Sequence, residues 1–507
     1  MQAMRRIRDA LIAKPARVLW LIAAYYLVAI LVRVLRADGL QSDEAEQLFQ
    51  SQFLLWGYGR QPPFYNWLQY GVIHLIGPSI FALSLVKNGL LFLTCLFYGL
   101  AARHLSERKE LSAAAMLGVL ALPTVTILAQ RDLSHAVATL FAVSFFLYAF
   151  FGALTRPNLW RYVLTGVAIG IGAISKYNFV VLPIAALLAI LPEAELRRRL
   201  FDRRLIATIV VAGLICLPHA LWVLGNFQTA TAGTVNAMRD DATGNVLLDR
   251  LSGILDLGSA AVTGSLVLVA FMLIAFGRSL IDGWNIETVW TRVTGRMFLI
   301  CLAAIGLIAV GMGATTISQK WLSPFLLILP LYLCLKIEAA GGFARRVDGV
   351  ARLAPLSSAL AFGFLLYLTT GNLLSPVINR YSKDSLPSVT FVRQVLAESG
   401  RQNEPDFIVA GSAALGGAAR IAAPEAAVRL SSFAQANGIP EGMGLVVWPT
   451  DDGMALPAPL AAYLQDQGVD TRDVSPKAMD VPYAYSRGRK TEAFSYAWVS
   501  RPQAAQD

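Results

Sequence analysis

Apolar residues in this chain come in long unbroken runs, not in the short alternations of strands or the one-sided stripes of surface helices. Runs able to cross about 30 Å of hydrocarbon fall near residues 18–35, 80–102, 111–129, 136–154, 162–174, 179–191, 205–224, 254–276, 298–312, 322–335 and 353–370. This pattern predicts about eleven membrane spans, several of them short. An odd number puts the termini on opposite sides. After Thr370 the long runs stop, and Pro, Gly, Asp, Glu and Gln rise through GNLLSPVINRYSKDSLPSV. The remainder is long enough for one small domain. In it DFIVAGSAALGGAARIAA reads as a buried strand, a Gly turn and a following segment, and GLVVWPTDDG as a strand ending in a polar turn. The Gly411 to Gly417 stretch is not GxGxxG, so no nucleotide site is read there. No internal repeat is visible. The expected fold class is an α-helical polytopic membrane protein, residues 1–375, with a small α/β C-terminal domain, residues 376–507. An exterior loop at 36–79 is expected to cap the membrane part.

Composition agrees with that class. Of 507 residues, 56% are hydrophobic and 15% charged, with a mean hydropathy of +0.55, which excludes an ordinary soluble protein. The net charge of +10 does not point to nucleic acid, because the basic residues form short clusters between apolar runs. Segments 5–17, 103–109, 156–161, 197–204, 278–296 and 345–352 fall on one side and hold roughly three times the Lys and Arg of the opposite loops, which marks that side as cytoplasmic. Loops 42–68, 130–132, 175–177, 226–253 and 315–321 then face the periplasm or an equivalent exterior. The N-terminus is basic and then apolar, like a signal peptide. No small-residue cleavage pattern follows Ala29 and further spans come after it, so an uncleaved anchor is expected.

Metal and disulfide chemistry find little support. Cys95, Cys216, Cys301 and Cys334 all lie in apolar runs without short spacings, and His74, His104, His135 and His219 are scattered with no HExxH. No cofactor and no metal cluster is expected, although a divalent cation could join the carboxylates described next.

The first long polar interruption, QSDEAEQLFQSQFLLWGYGRQPPFYNWL at 41–68, carries the candidate chemistry. Asp43, Glu46, Gln47 and Gln50 share one face of a short helix. Asp43 can be an N-cap with Glu46 closing a capping box. It can equally be a general base that takes a proton from an attacking acceptor hydroxyl. Gln130-Arg131-Asp132 must be a tight exterior turn. As a loop tip its Arg131 and Asp132 simply pair; as a site, Arg131 binds phosphate and Asp132 orients it or the acceptor. Lys176 in ISKYNF and Lys320 in SQKWLSPFL each read alone as a snorkelling lysine. Together Arg131, Lys176 and Lys320 put cations on three loops of a face otherwise poor in them. Such a set suits an anionic lipid phosphate, whose charge on departure it would stabilise.

These residues resemble the membrane glycosyltransferases of the C-type fold, in the superfamily of protein O-mannosyltransferases and lipid A aminoarabinose transferases. The resemblance is carried by Asp43-Glu44, by Pro62-Pro63-Phe64-Tyr65-Asn66-Trp67, by Asp132 after the third span, by Ser175-Lys176, and by the Lys320 to Pro324 pattern. The DEAEQ and QPP variant looks most like proteobacterial members, some of which modify lipopolysaccharide core or lipid A with galacturonic acid or mannose. The resemblance implies an inner-membrane enzyme, active on its periplasmic face, that transfers one sugar with inversion. Its partners would be a polyprenyl-phosphate sugar donor, a lipopolysaccharide, lipid A or other glycolipid acceptor, and membrane lipids. Asp43 would be the base, with Glu44 and Asp132 supporting the acceptor. Arg131, Lys176 and Lys320 would hold the donor phosphate, with Arg60 and Gln61 nearby, and Pro62, Pro63, Tyr65 and Trp67 would line the lipid entrance. One departure stands out: the aminoarabinose transferases have a lysine before the double proline, where this chain has Gln61, so a donor contact moves to Arg60 or changes with the sugar.

Two other classes fit less well. A transporter or lipid flippase should show repeated halves and ionisable groups near mid-membrane, whereas these charges gather at one face. A soluble C-terminal enzyme merely anchored by the spans would not need about eleven of them.

Overall fold

The computed structural model describes residues 9–11, 13–230, 245–317, 319–400, 404–433, 438–472 and 474–502. The first basic residues of the N-terminal cluster and the centre of the loop read at 226–253 therefore lie outside the described residues.

Each apolar run is a helix, as backbone groups without water to bond must satisfy one another. The helices are α1 (Val18–Leu35), α2 (Ser42–Gln50), α3 (Phe64–Ile76), α4 (Ile80–Leu105), α5 (Lys109–Leu120), α6 (Ala129–Asp132), α7 (His135–Thr155), α8 (Leu159–Ala173), α9 (Val181–Ile190), α10 (Leu205–Gly225), α11 (Val246–Phe276), α12 (Val289–Met312), α13 (Gln319–Leu326), α14 (Leu329–Ala339) and α15 (Gly349–Ile378). Among the described residues eight stretches are long and apolar enough to span a membrane. Two more candidates are bent pairs, Lys109–Leu120 with Thr124–Asp132 at 58° and Tyr177–Ile190 with Ala194–Phe201 at 120°. The run read at 162–174 is the shorter helix α8. The eleven predicted runs thus resolve into eight to ten spans. The first bend has a local cause: Pro123 ends the α-helical ladder, and a π-helical turn, Thr124–Leu128, follows.

The chain forms two compact units. One takes Met1–Val28, Leu55–Tyr65 and Lys87–Phe364; the other takes Ala29–Leu54, Asn66–Val86 and Leu365–Asp507. In the first, α7 is enclosed almost all round while α10 is largely exposed, with Ile206, Ile209, Leu214 and Leu221 turned outward. An apolar helix with an apolar exposed surface is one that meets lipid.

The second unit contains the C-terminal domain. Helix α16 (Ser388–Glu398) leads to β1 (Phe407–Ala410), α17 (Ala413–Ala422), β2 (Ala427–Leu430), β3 (Gly442–Pro449), α18 (Ala458–Asp466), β4 (Lys477–Pro482) and β5 (Thr491–Arg501). The sheet order is β2-β1-β3-β5-β4, parallel across β2-β1-β3 and antiparallel across β3-β5-β4. Both sheet faces are covered, so β1 and β3 read as continuous apolar runs. Ile408, Ala410, Leu445 and Val447 pack with Phe391 and Leu415 of α16 and α17. Phe407, Val409, Val446 and Trp448 pack with Leu460 and Leu464 of α18. The buried strand read in DFIVAGSAALGGAARIAA is β1, and the segment after its Gly turn is the helix α17.

Candidate active site

In the second unit the candidate residues lie on and around α2. Its N-cap is Gln41, Ser42 is its first residue, and Gln41 N donates to Glu44 Oε2 at 3.1 Å. The capping box is therefore closed by Glu44, not by Glu46, and Asp43 is not the cap. It stands half-buried in the first turn, where the helix dipole favours a carboxylate. Glu46 lies one turn on and accepts from Gln50 Nε2 at 2.9 Å, while Gln50 Oε1 accepts from Asn66 Nδ2 at 2.5 Å. Asn66 belongs to α3, as does the half-buried Trp67.

Glu44 has a different environment. Arg33, in the last turn of α1, donates from Nε to Glu44 Oε1 at 2.9 Å and from Nη2 to Oε2 at 2.7 Å. Its Nη1 and Nη2 also donate to the carbonyls of Ala37 and Gly39 at 3.1 and 2.8 Å. Arg33 is 7% and Glu44 5% exposed, so this two-pronged pair works away from bulk water, where such geometry is strongest. Both Glu44 oxygens are engaged by Arg33. Next to it Arg36 pairs with Asp384, whose carboxylate also accepts from Asn372 Nδ2 at 3.1 Å and from Ser382. Burial, reinforced by the charge of Arg33, pushes the Arg36 guanidinium down to about 10, still a cation at neutral pH.

In the first unit three of the candidate segments come together. Tyr58 and Gln61 exchange backbone hydrogen bonds at 3.3 and 3.4 Å, closing a tight turn with Gly59 at φ +67°. This turn puts Arg60 at an exposed tip and leaves Gln61 half-buried, with Pro62 and Pro63 buried after it. Phe64 N then donates to Ile174 O at 3.0 Å, which joins the double-proline element to the Ser175-Lys176 turn. The buried Tyr65 ring lies 5.8 Å from the ring of His135, three residues beyond Asp132. Lys176 Nζ donates to the Lys320 carbonyl at 3.3 Å, and Asn178 Nδ2 to the Trp321 carbonyl at 2.9 Å. Segments 58–65, 174–178 and 320–321 are thereby linked by hydrogen bonds in series, with His135 of α7 beside Tyr65.

Their supports were not visible in the sequence. His219 of α10 bridges Trp56 O at 2.7 Å and the Tyr177 hydroxyl at 3.2 Å. A carbonyl can only accept, so Nδ1 carries the proton and Nε2 accepts from Tyr177. Gly57 lies flat on Trp222, where a Cβ would come within 2.3 Å of the indole. Gln130, inside the Gln130-Arg131-Asp132 turn, is buried and donates to Asn88 Oδ1 at 2.8 Å. Arg131 is left exposed and Asp132 half-buried. Lys87, adjacent to Asn88 on α4, is a buried lysine inside a spanning helix, a position that carries a charge only at a cost. Lys320 is exposed at the start of α13. That helix is fixed at its far end by Tyr98, whose hydroxyl donates to Leu327 O at 2.5 Å and accepts from Leu331 N at 2.8 Å. The lead-in is held on α11, where Asp256 accepts from Ile317 N. Among the described residues no group of three His, Cys, Asp or Glu side chains is placed to hold a metal ion.

Residues 60–222 match the family model described as dolichyl-phosphate-mannose-protein mannosyltransferase. The chain is 39% identical over 495 residues to the lipopolysaccharide core galacturonosyltransferase RgtA of Rhizobium johnstonii, covering 95% of this chain and 97% of that protein. It is 40% identical over 488 residues to the lipopolysaccharide core galacturonosyltransferase RgtB of the same organism, with the same coverage. Its fold matches the crystal structure of ArnT from Cupriavidus metallidurans bound to undecaprenyl phosphate, with a TM-score of 0.57 at 14% identity, over 96% of this chain and 98% of that one.

Proposed function

The chain belongs to the membrane glycosyltransferase family of these two rhizobial enzymes, and from that membership we propose that it moves galacturonic acid from a polyprenyl-phosphate donor to the core of lipopolysaccharide. The reaction takes place at the periplasmic face of the inner membrane. The sugar and acceptor rest on the full-length likeness to enzymes named for them. The observation that supports the chemistry is the hydrogen bond from Lys176 Nζ to the Lys320 main-chain carbonyl, on the turn that Ile174 joins to Phe64, which brings two lysine-bearing segments from distant parts of the chain together.

In the reaction, an acceptor hydroxyl oxygen attacks the anomeric carbon of the donor as Asp43 takes its proton. The bond from that carbon to the phosphate oxygen breaks, its electron pair leaves with the polyprenyl phosphate, and the configuration inverts. Arg131, Lys176 and Lys320 neutralise the departing phosphate. Asp132 orients the acceptor. A uronic acid brings a second negative charge, and Arg60, at the tip of its turn beside Gln61, is assigned to that carboxylate. Glu44 acts on substrate only indirectly, by fixing α2 through Arg33. Pro62, Pro63, Tyr65 and Trp67 line the path of the prenyl chain, as interfacial aromatics do.

The test has two arms. Lipopolysaccharide from cells with the gene should be heavier by one or more hexuronic acid residues than that from cells without it; an unchanged mass would refute the sugar and acceptor. In purified protein, Asp43→Asn should lower transfer by about 10²–10⁴-fold while donor binding persists. Full transfer by that variant would remove the base assignment.

A further inference from the structure

The helix that carries Asp43 is built into the core of the C-terminal domain. Phe49, on its buried face, is 1% exposed and belongs to the same apolar cluster as Ile408, Ala410, Leu415, Ala419, Val428 and Leu430. Helix α17 crosses α2 at Gly417, where a Cβ would fall 2.7 Å from both the Cα and the carbonyl oxygen of Ala45. The two backbones touch there, and only glycine allows it. Just past the helix, the Gln52 side chain pairs with the exposed edge of β2 as a strand residue would: Nε2 donates to Val428 O at 3.3 Å, and Oε1 accepts from Val428 N at 3.0 Å. Phe53 follows, stacked on Phe433 with centroids 6.0 Å apart and lying under the Arg429 guanidinium at 5.5 Å. At the other end, Lys383 Nζ donates to Ser42 Oγ at 2.8 Å, one residue before Asp43. Gly39, which leads into the helix, lies so close to the Asp384 and Leu386 carbonyls that a Cβ would come within 2.7 Å of them.

We propose that the C-terminal domain is part of the catalytic apparatus: it holds α2 at its start, middle and end, and through α2 it fixes the direction in which the Asp43 carboxylate points. The proposal rests on the assignment of Asp43 as base. Gln52 and Gly417 are positioning residues, since neither touches substrate. A base accepts a proton in the transition state only from a well-set position, and a shift of about 1 Å made far from the chemistry can cost about 10²-fold in rate. The five-stranded domain supplies that rigidity to a nine-residue helix, which would be marginal by itself.

The experiment is a set of double-mutant cycles in the purified full-length enzyme. Gln52→Ala removes both hydrogen bonds to β2 from a half-buried position, and Gly417→Val forces α17 off α2. Each is measured alone and combined with Asp43→Asn, for kcat, donor KM and thermal midpoint. The expected result is a fall in kcat of about tenfold or more with donor KM unchanged. In the Asp43→Asn background the same substitutions should leave the residual rate where it was, because no base remains to be misplaced. Gln52→Glu, which keeps the bond from Val428 N, should recover part of the lost rate. Should Gly417→Val fail to fold, the Gln52 cycle decides alone. Wild-type kcat in folded Gln52→Ala, or an equal loss in both backgrounds, overturns the proposal and leaves the base assignment intact. Full activity of Asp43→Asn by itself overturns both.

Discussion

Asp43 and Glu44 are neighbours in one helix, yet their surroundings give them different work. Glu44 has both oxygens on Arg33 in a buried pair, whereas Asp43 is half-buried in the first turn. Removing one charge of a buried pair strands the other, at a cost of about 3–5 kcal/mol. Glu44→Gln should therefore lower the thermal midpoint in detergent by several degrees, and Asp43→Asn should lower it less while cutting transfer by about 10²–10⁴-fold. Equal midpoints for wild type and Glu44→Gln would show that the pair contributes nothing to the fold. This contrast was out of reach of the sequence. Asp43, Arg131, Lys176 and Lys320 stood out as candidates because each lies in a polar break between apolar runs, which makes a charged residue conspicuous. Arg33, Lys87 and Asp384 did not, because a charge inside or beyond a span gains meaning only from a partner across the fold. The capping error at Glu46 has the same origin: the helix starts one residue before Asp43, and nothing local to DEAEQ fixes that register.

Helices were the most readable elements, since a long apolar run in a membrane has one way to satisfy its backbone. Their ends were less so. The run at 111–129 hides a bend whose signal, Pro123, is a single residue, and the run at 179–191 turns by 120° before Ala194–Phe201. Connections are held by side chains that periodicity cannot register. Asp202 is an example, between the 198–201 turn and α10. Arg204 donates to both its oxygens at 2.9 Å and reaches the Pro157 carbonyl at 3.1 Å, tying this connection to the end of α7. Those hydrogen bonds hold the Asp202 carboxyl down to about 2. A carboxyl with a folded pKa below its unfolded value stabilises above the ordinary carboxylate range, and that stability is lost as pH falls through the folded value. Asp202→Asn should thus destabilise slightly at neutral pH, by an amount that shrinks as the pH falls through about 2. The effect is small because Arg204 is 39% exposed and screened by solvent. Unfolding midpoints of the two proteins across an acid titration check this, and a gap that widens toward low pH would contradict it.

At the scale of the whole molecule, the distribution of charge sets which face each loop occupies, and every proposed role depends on that orientation. Basic clusters such as Arg197 to Arg199 with Arg203 and Arg204 resist translocation, which is the ground for proposing that they face the cytoplasm. On the proposed orientation Asp43, Arg131, Lys176, Lys320 and the C-terminal domain belong to the periplasm, the side on which the proposed acceptor would be met. The protein offers a quiet background for testing this. All four cysteines are free, with Cys95, Cys301 and Cys334 buried and Cys216 half-buried, and all four lie in spanning helices. A cysteine introduced at an exposed position should therefore report alone. Asp466→Cys, on the surface of α18, should react with a membrane-impermeant maleimide in intact spheroplasts. Arg198→Cys, exposed in the basic turn, should react only after lysis. The reverse pattern would put the cations and Asp43 on the cytoplasmic side, away from the acceptor, and no arrangement of the site residues could then rescue periplasmic transfer. Because reactivity before lysis separates the two outcomes, the labelling result decides the orientation without any assay of the sugar.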